Sequence, residues 1–199
     1  MLMSNNPKQK KIQNTTNRDE RGFSLIEAVV AILIITIGLI GTAAAITYAL
    51  EFSAISRNVS SAKLVIVSTI EEIESLRNTR RLDFKQIANV GAVDNTGTPN
   101  TFNGFSSGYK EVSLNPGPDG VNGTDDDLRS AGADGDYGTG DDFDDPTLVR
   151  SGYVRQITIT NLNATLKKVE IKVRYFGTGG KIGEIRGVSY INDEARITR

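Results

Sequence analysis

Two sets of acids in this sequence are placed where they could do chemistry. The first is a pair of matching segments, Gly117-Pro118-Asp119-Gly120-Val121-Asn122-Gly123-Thr124-Asp125-Asp126-Asp127 and Gly132-Ala133-Asp134-Gly135-Asp136-Tyr137-Gly138-Thr139-Gly140-Asp141-Asp142. Both read Gly-x-Asp-Gly-x-x-Gly-Thr-x-Asp-Asp. Hard cations such as calcium take several carboxylate and carbonyl oxygens around tight turns, and Asp and Gly supply both. The segments therefore carry an expectation of structural Ca2+, with Asp119, Asp125, Asp126 and Asp127 as ligands in one unit. Asp134, Asp136, Asp141 and Asp142 are the ligands in the other. The spacing departs from the EF-hand loop, which wants Asp-x-Asp-x-Asp-Gly and a Glu at its twelfth position. The bland alternative is a solvated acidic loop. The second feature is a lone acid, Glu27, at the head of a run of 23 uncharged residues from Ala28 to Leu50. A Gly22-Phe23 pair stands shortly before it, with Ser24, Leu25 and Ile26 between.

Composition excludes several classes. The 199 residues contain no Cys and no His, which removes disulfides, thiol catalysis and imidazole metal sites. No phosphate-binding glycine loop and no positioned nucleophile–base pair is present, so no enzyme is expected. The net charge of -1 gives no pull toward nucleic acid, and no basic aromatic patch supports direct contact with it. The charge is uneven, however. Lys8, Lys10, Lys11, Arg18 and Arg21 precede the apolar run, and basic flanks stay on the cytoplasmic side of a membrane.

The elements that must position these residues follow from periodicity. The uncharged run is long enough to cross a bilayer core as a helix. After Leu50 the pattern turns amphipathic: Phe52, Ile55, Val59, Ala62, Val65, Ile66, Thr69, Ile70, Ile73 and Leu76 recur at helical spacing. One helix is expected from Ser24 to about Asn78. Gly38 and Gly41 inside it read as ordinary membrane glycines or as the site of a bend. Residues 91–150 are rich in Gly, Asn, Thr, Ser and Asp and read as loop.

Strands come last. Tyr153 to Ile159 alternates, and Leu166 to Tyr175 places Val169, Ile171, Val173 and Tyr175 on one face. Ile182 to Ile191 makes a third strand, with Ile185, Val188 and Tyr190 as apolar members and Gly187 as the mark of a bulge. The fold class is α+β: a long N-terminal helix, apolar in its first half, packed through its second half on a small antiparallel sheet. The expected division is 1–22, 23–50, 51–82, 83–152 and 153–199: leader, membrane helix, amphipathic helix, acidic loop region and sheet.

Gly22-Phe23-Ser24-Leu25-Ile26-Glu27, preceded by a charged leader and fused to the uncharged span, resembles the processing site of type IV prepilins and type II secretion pseudopilins. The resemblance covers roughly residues 18 to 55. It implies cleavage after Gly22 by a membrane prepilin peptidase, which also N-methylates the new terminus at Phe23. It implies assembly with other pilin subunits on an inner-membrane platform, with Glu27 paired to the terminal amine of a neighbour. It implies the pilin fold and an extracellular pilus or periplasmic pseudopilus as destination. Ile37-Gly38-Leu39-Ile40-Gly41, Glu71-Glu72-Ile73-Glu74-Ser75-Leu76-Arg77 and the Lys167-to-Val173 strand look like minor pilins of the pilus modification protein V type, or like I-type minor pseudopilins. A major shaft subunit and a calcium-dependent adhesion module on a pilin-type anchor are the rival readings.

Overall fold

A computed structural model describes residues 23–177 and 180–193. The chain divides into two compact units, Met1–Thr47 and Tyr48–Arg199. Helix α1, Leu25–Asn78, contributes to both. It is the one helix among the described residues long and apolar enough to cross a membrane.

In the first unit the helix is exposed along almost its whole length, from Leu25, Ile26 and Val29 to Ile40 and Ile46. It runs through Gly38 and Gly41 without a break. Its threonine hydroxyls are satisfied internally. Thr36 Oγ1 donates to Ile32 O at 2.7 Å, Thr42 Oγ1 to Leu39 O at 2.9 Å and Thr47 Oγ1 to Ala43 O at 3.0 Å. A segment in hydrocarbon has no water to meet such groups, so back-bonding of this kind suits it.

In the second unit α1 buries Ala62, Val65, Ile66, Thr69, Ile73 and Leu76. The buried stripe starts later than its sequence pattern suggests: Phe52 and Ile55 are exposed. Arg80, at φ 60°, turns the chain, and the Arg81 and Leu82 amides close the helix end by donating to Leu76 O. A 3-10 turn, Phe84–Gln86, follows.

The main sheet holds β1 (Lys110–Ser113), β4 (Val149–Asn163), β5 (Leu166–Phe176) and β6 (Ile182–Asn192) in the order β1-β4-β5-β6. Every neighbouring pair is antiparallel. The three-strand meander appears as expected. β1 adds a fourth strand from the segment read as loop. Two further short strands there, β2 (Arg129–Ser130) and β3 (Phe143–Asp144), pair with each other. Above β1, Asn89 stands in for a strand partner. Its Nδ2 donates to Ile157 O at 2.9 Å and its Oδ1 accepts from the Ile159 amide at 2.7 Å.

The inner sheet face carries Ile157, Val169, Ile171, Val173 and Ile191, all buried with the α1 stripe and with Phe102, Phe105 and Val121. Burying a Val, Leu or Ile side chain contributes about 1.5–3 kcal/mol, so this shared core decides where the helix sits on the sheet. Tyr175 and Ile185 pack against it. Val188 and Tyr190 do not. They lie on the outer face at 39% and 60% exposure, because the alternation along β6 puts Gly183, Ile185, Gly187, Ser189 and Ile191 inward.

Gly187 is not a bulge. It pairs in regular register with Ile171. Its lack of a side chain serves close approach instead, since a Cβ there would collide with the Ile66 side chain of α1. Gly187→Val should cost about 1–3 kcal/mol through overpacking, read as a lower thermal midpoint. Ile66→Ala in the same chain should recover part of that loss. An unchanged midpoint for Gly187→Val would contradict the close approach.

Candidate functional site

The N-terminal features come first. Gly22 lies outside the described residues. Phe23 is exposed and stands two residues before α1 begins at Leu25. Glu27 is exposed in the first turn of the helix, where a negative charge meets the positive end of the helix dipole. Phe23 and Glu27 thus sit one helical turn apart at the head of an apolar rod.

The two acidic segments are one structure built twice, at a fifteen-residue offset running from Asp119 to Asp134. Gly117 and Gly132 open them at φ 66° and 67°, and a Cβ at either would strike the facing residue, Asp126 or Asp141. Asp119 Oδ1 accepts from the Val121 amide at 2.7 Å; Asp134 Oδ1 accepts from the Asp136 amide at 2.9 Å. Asp126 Oδ2 accepts from the Asp119 amide, and Asp141 Oδ2 from the Asp134 amide, both at 3.3 Å. Asp127 Oδ2 accepts from the Gly123 amide at 2.8 Å; Asp142 Oδ2 accepts from the Gly138 amide at 2.7 Å.

At the centre of each loop a threonine hydroxyl faces three acceptors. Thr124 Oγ1 lies 3.0 Å from Val121 O, 2.6 Å from Asp126 Oδ1 and 2.9 Å from Asp127 Oδ1. Thr139 Oγ1 lies 3.1, 2.7 and 3.5 Å from the matching atoms of Asp136, Asp141 and Asp142. A hydroxyl carries one proton, so it serves one acceptor at a time.

The copies differ in surroundings. The first is wired into the core. Glu72 of α1 accepts from the Asn122 amide at 3.0 Å and from its Nδ2 at 2.9 Å, and Arg81 Nη2 donates to Asp119 O at 2.7 Å. Asp125 is exposed and meets Ser106 Oγ at 2.9 Å and Lys110 Nζ at 3.3 Å. Asp127 is buried and faces Arg155 Nη2 at 3.6 Å. The second copy is exposed, with Asp134, Asp136 and Asp141 open to solvent, while Asp142 is shielded and faces Arg129 Nε at 3.7 Å.

Sequence reasoning missed Arg155. Its Nη1 donates at 2.9 Å to Thr69 Oγ1, whose own proton goes to Val65 O at 2.7 Å. Helix, sheet and first loop therefore meet at one guanidinium. A signal was present: Arg155 shares the parity of Ile157 and so stands on the apolar face of β4. Among the described residues, no three His, Cys, Asp or Glu side chains gather as a group able to hold a metal ion. The eight aspartates instead turn many of their oxygens toward backbone amides and hydroxyls of their own loops.

Residues 17–43 match the prokaryotic N-terminal methylation motif. The match supports a type IV pilin-like or pseudopilin chain anchored by its apolar helix. It spans the last residues before Gly22, then Gly22, Phe23, Glu27 and much of the uncharged run, and it stops short of the sheet and the acidic loops. No curated protein and no solved structure matches the chain.

Burial, reinforced by Asp126 and Asp127, pushes the Asp119 carboxyl from 3.8 up to about 6. Burial also raises Asp127, against the pull of its amide donors. A carboxyl raised on folding favours the protonated state. Its contribution to stability is present below about pH 4 and is lost as pH rises through about 6. Asp119→Asn keeps an oxygen for the Val121 amide and removes the charge. The midpoint of the variant in detergent, minus that of the unaltered chain, should be near zero at about pH 4 and positive above about pH 7. A difference that does not change with pH would sink this assignment.

Proposed function

We propose that this chain is a structural subunit, a minor one, of a type IV pilus or related filament. The observation that carries the reading is the methylation motif over residues 17–43 running straight into an exposed, uncharged helix. The leader stays in the cytoplasm, α1 holds the precursor in the inner membrane, and the Tyr48–Arg199 unit lies on the far side.

Prepilin peptidase cleaves after Gly22, where an extended backbone must be held closely and a side chain would obstruct it. The new Phe23 amine is methylated and positively charged near neutral pH. Among apolar helices an unpaired charge costs about 2.5–3.5 kcal/mol or more, and Glu27 of a neighbouring subunit supplies the opposite charge. This pairing sets the axial register of assembly. The role is structural, not catalytic. The major shaft subunit and the adhesion module remain the alternatives, and abundance separates them from the minor subunit.

The test uses the native cell. Sheared surface filaments and membranes are compared by intact mass and N-terminal sequence. A methylated Phe23 terminus in trace in filaments, or mostly in membranes, fits a minor subunit; dominance in filaments makes it a shaft subunit. A chain still beginning near Met1, or cut near Ala45, overturns the reading. Gly22→Val should leave only unprocessed precursor. Glu27→Gln should be cleaved normally yet fall at least tenfold in filament incorporation, and normal incorporation would refute the pairing.

A further inference from the structure

The two acidic loops need positive charge. Each concentrates carboxylates around a threonine hydroxyl with a single proton, and each buries its last aspartate: the Asp127 and Asp142 side chains are 7% and 4% exposed. Negative charge withdrawn from water at this density calls for a cation. Both loops meet one that is part of the chain. Arg155 Nη2 lies 3.6 Å from Asp127 Oδ2, and Arg129 Nε lies 3.7 Å from Asp142 Oδ2. The equivalent carboxylate oxygen is addressed in each copy, by an arginine from a neighbouring strand. The same oxygen also accepts the equivalent glycine amide, from Gly123 or Gly138.

We propose that these arginines are the resident counter-cations of the repeat, so that both loops close without a divalent metal. This runs against the calcium expectation raised by the sequence, and it does not rest on the filament reading. In the first loop the arginine is itself buried, with 5% of its side chain exposed and Nη1 held by Thr69. Its Nη2 has no hydrogen-bond partner and is turned toward Asp127. Burial works against the Arg155 charge, and Asp127 and then Glu72 work to keep it. The guanidinium is therefore held by the loop it neutralises, and it ties that loop to α1. In the second loop Arg129 is 41% exposed and also faces Asp144 Oδ1 at 3.7 Å, so that copy is held more loosely.

A double-mutant cycle on the full chain in detergent tests this, with calcium chloride or with EDTA. Arg155→Met, which leaves a buried carboxylate without its cation, and Asp127→Asn, which turns one amide-accepting oxygen into a donor, should each lower the thermal midpoint by several degrees. Together they should lose clearly less than the sum, because either change alone leaves the other group buried without its partner. Exchanging EDTA for calcium should leave the midpoint of the unaltered chain where it was. Additive losses, or a rise of several degrees on adding calcium, would overturn the proposal. Should Arg155→Met fail to fold, the exposed copy gives the same answer by limited proteolysis. Arg129→Gln should speed cleavage within 131–142, and Asp142→Asn on that background should add little. Cleavage of the unaltered loop that slows on adding calcium would refute a resident cation there.

Discussion

A single stripe on α1, Ala62 to Leu76, must lie against the inner face of a sheet, and most of the second unit depends on that contact. The stripe is narrow, and its closest approach is set by the absence of a side chain at Gly187 under Ile66. With the helix that near, β5 can present Val169, Ile171 and Val173 to it directly. The remaining space is closed by chain that has no regular structure of its own. Phe102 and Phe105, edge to face with centroids 5.2 Å apart, fill the side that the three long strands leave open. Val121, carried by the first acidic loop, fills the rest. An acidic loop that contributes a core residue cannot be a free appendage.

Two polar side chains drawn into that core are answered by hydrogen bonds from the chain around them. Lys167 stands on the buried face of β5, and its ammonium donates to Ile87 O at 2.8 Å while lying 4.7 Å from the centre of the Phe84 ring. Gln86, also buried, donates from Nε2 to Asn95 Oδ1 and Asn100 O, both at 2.8 Å, and accepts from the Asp83 amide at 3.0 Å. Buried polar groups cost stability unless paired, and paired ones fix a particular arrangement. The connection from α1 to β1 is held by these few side chains in place of a disulfide, which the chain has no cysteines to form.

The helix, the meander and the fold class were legible because each follows from a period of the pattern. The uncharged run, the stripe from Ala62 and the alternation in β5 all repeat over many residues. What stayed hidden has no period. β1 is four residues long, joins β4 through an irregular register between Glu111 and Ser113, and sits within a Gly- and Asn-rich stretch. Asn89 completes the β4 edge with one side chain, which no strand pattern can announce. In β6 the apolar members Ile185, Val188 and Tyr190 fall on both faces, so composition alone did not set the parity; the register with β5, which places Gly187 opposite Ile171 and under α1, does. The acidic repeat was plain as a repeat, yet its ties to Arg155 and Glu72 depend on long-range pairing and were not.

The two units have opposite needs of their surroundings. From Leu25 to Leu50 the helix shows water almost nothing but hydrocarbon, with its threonine hydroxyls turned back on their own carbonyls. Among the described residues of that unit, nothing covers that surface. Lipid, or other helices of the same kind, is the environment in which such a rod is stable. The Tyr48–Arg199 unit has the reverse character. Its outer sheet face pairs Glu170 with Lys168 and Arg186 at 2.8 and 2.7 Å, and Glu184 with Arg174 at 2.8 Å; an ionic face of this kind favours water. The single helix α1 therefore carries both chemistries: an apolar surface suited to lipid or to other helices in its first half, and the stripe that packs on the sheet in its second.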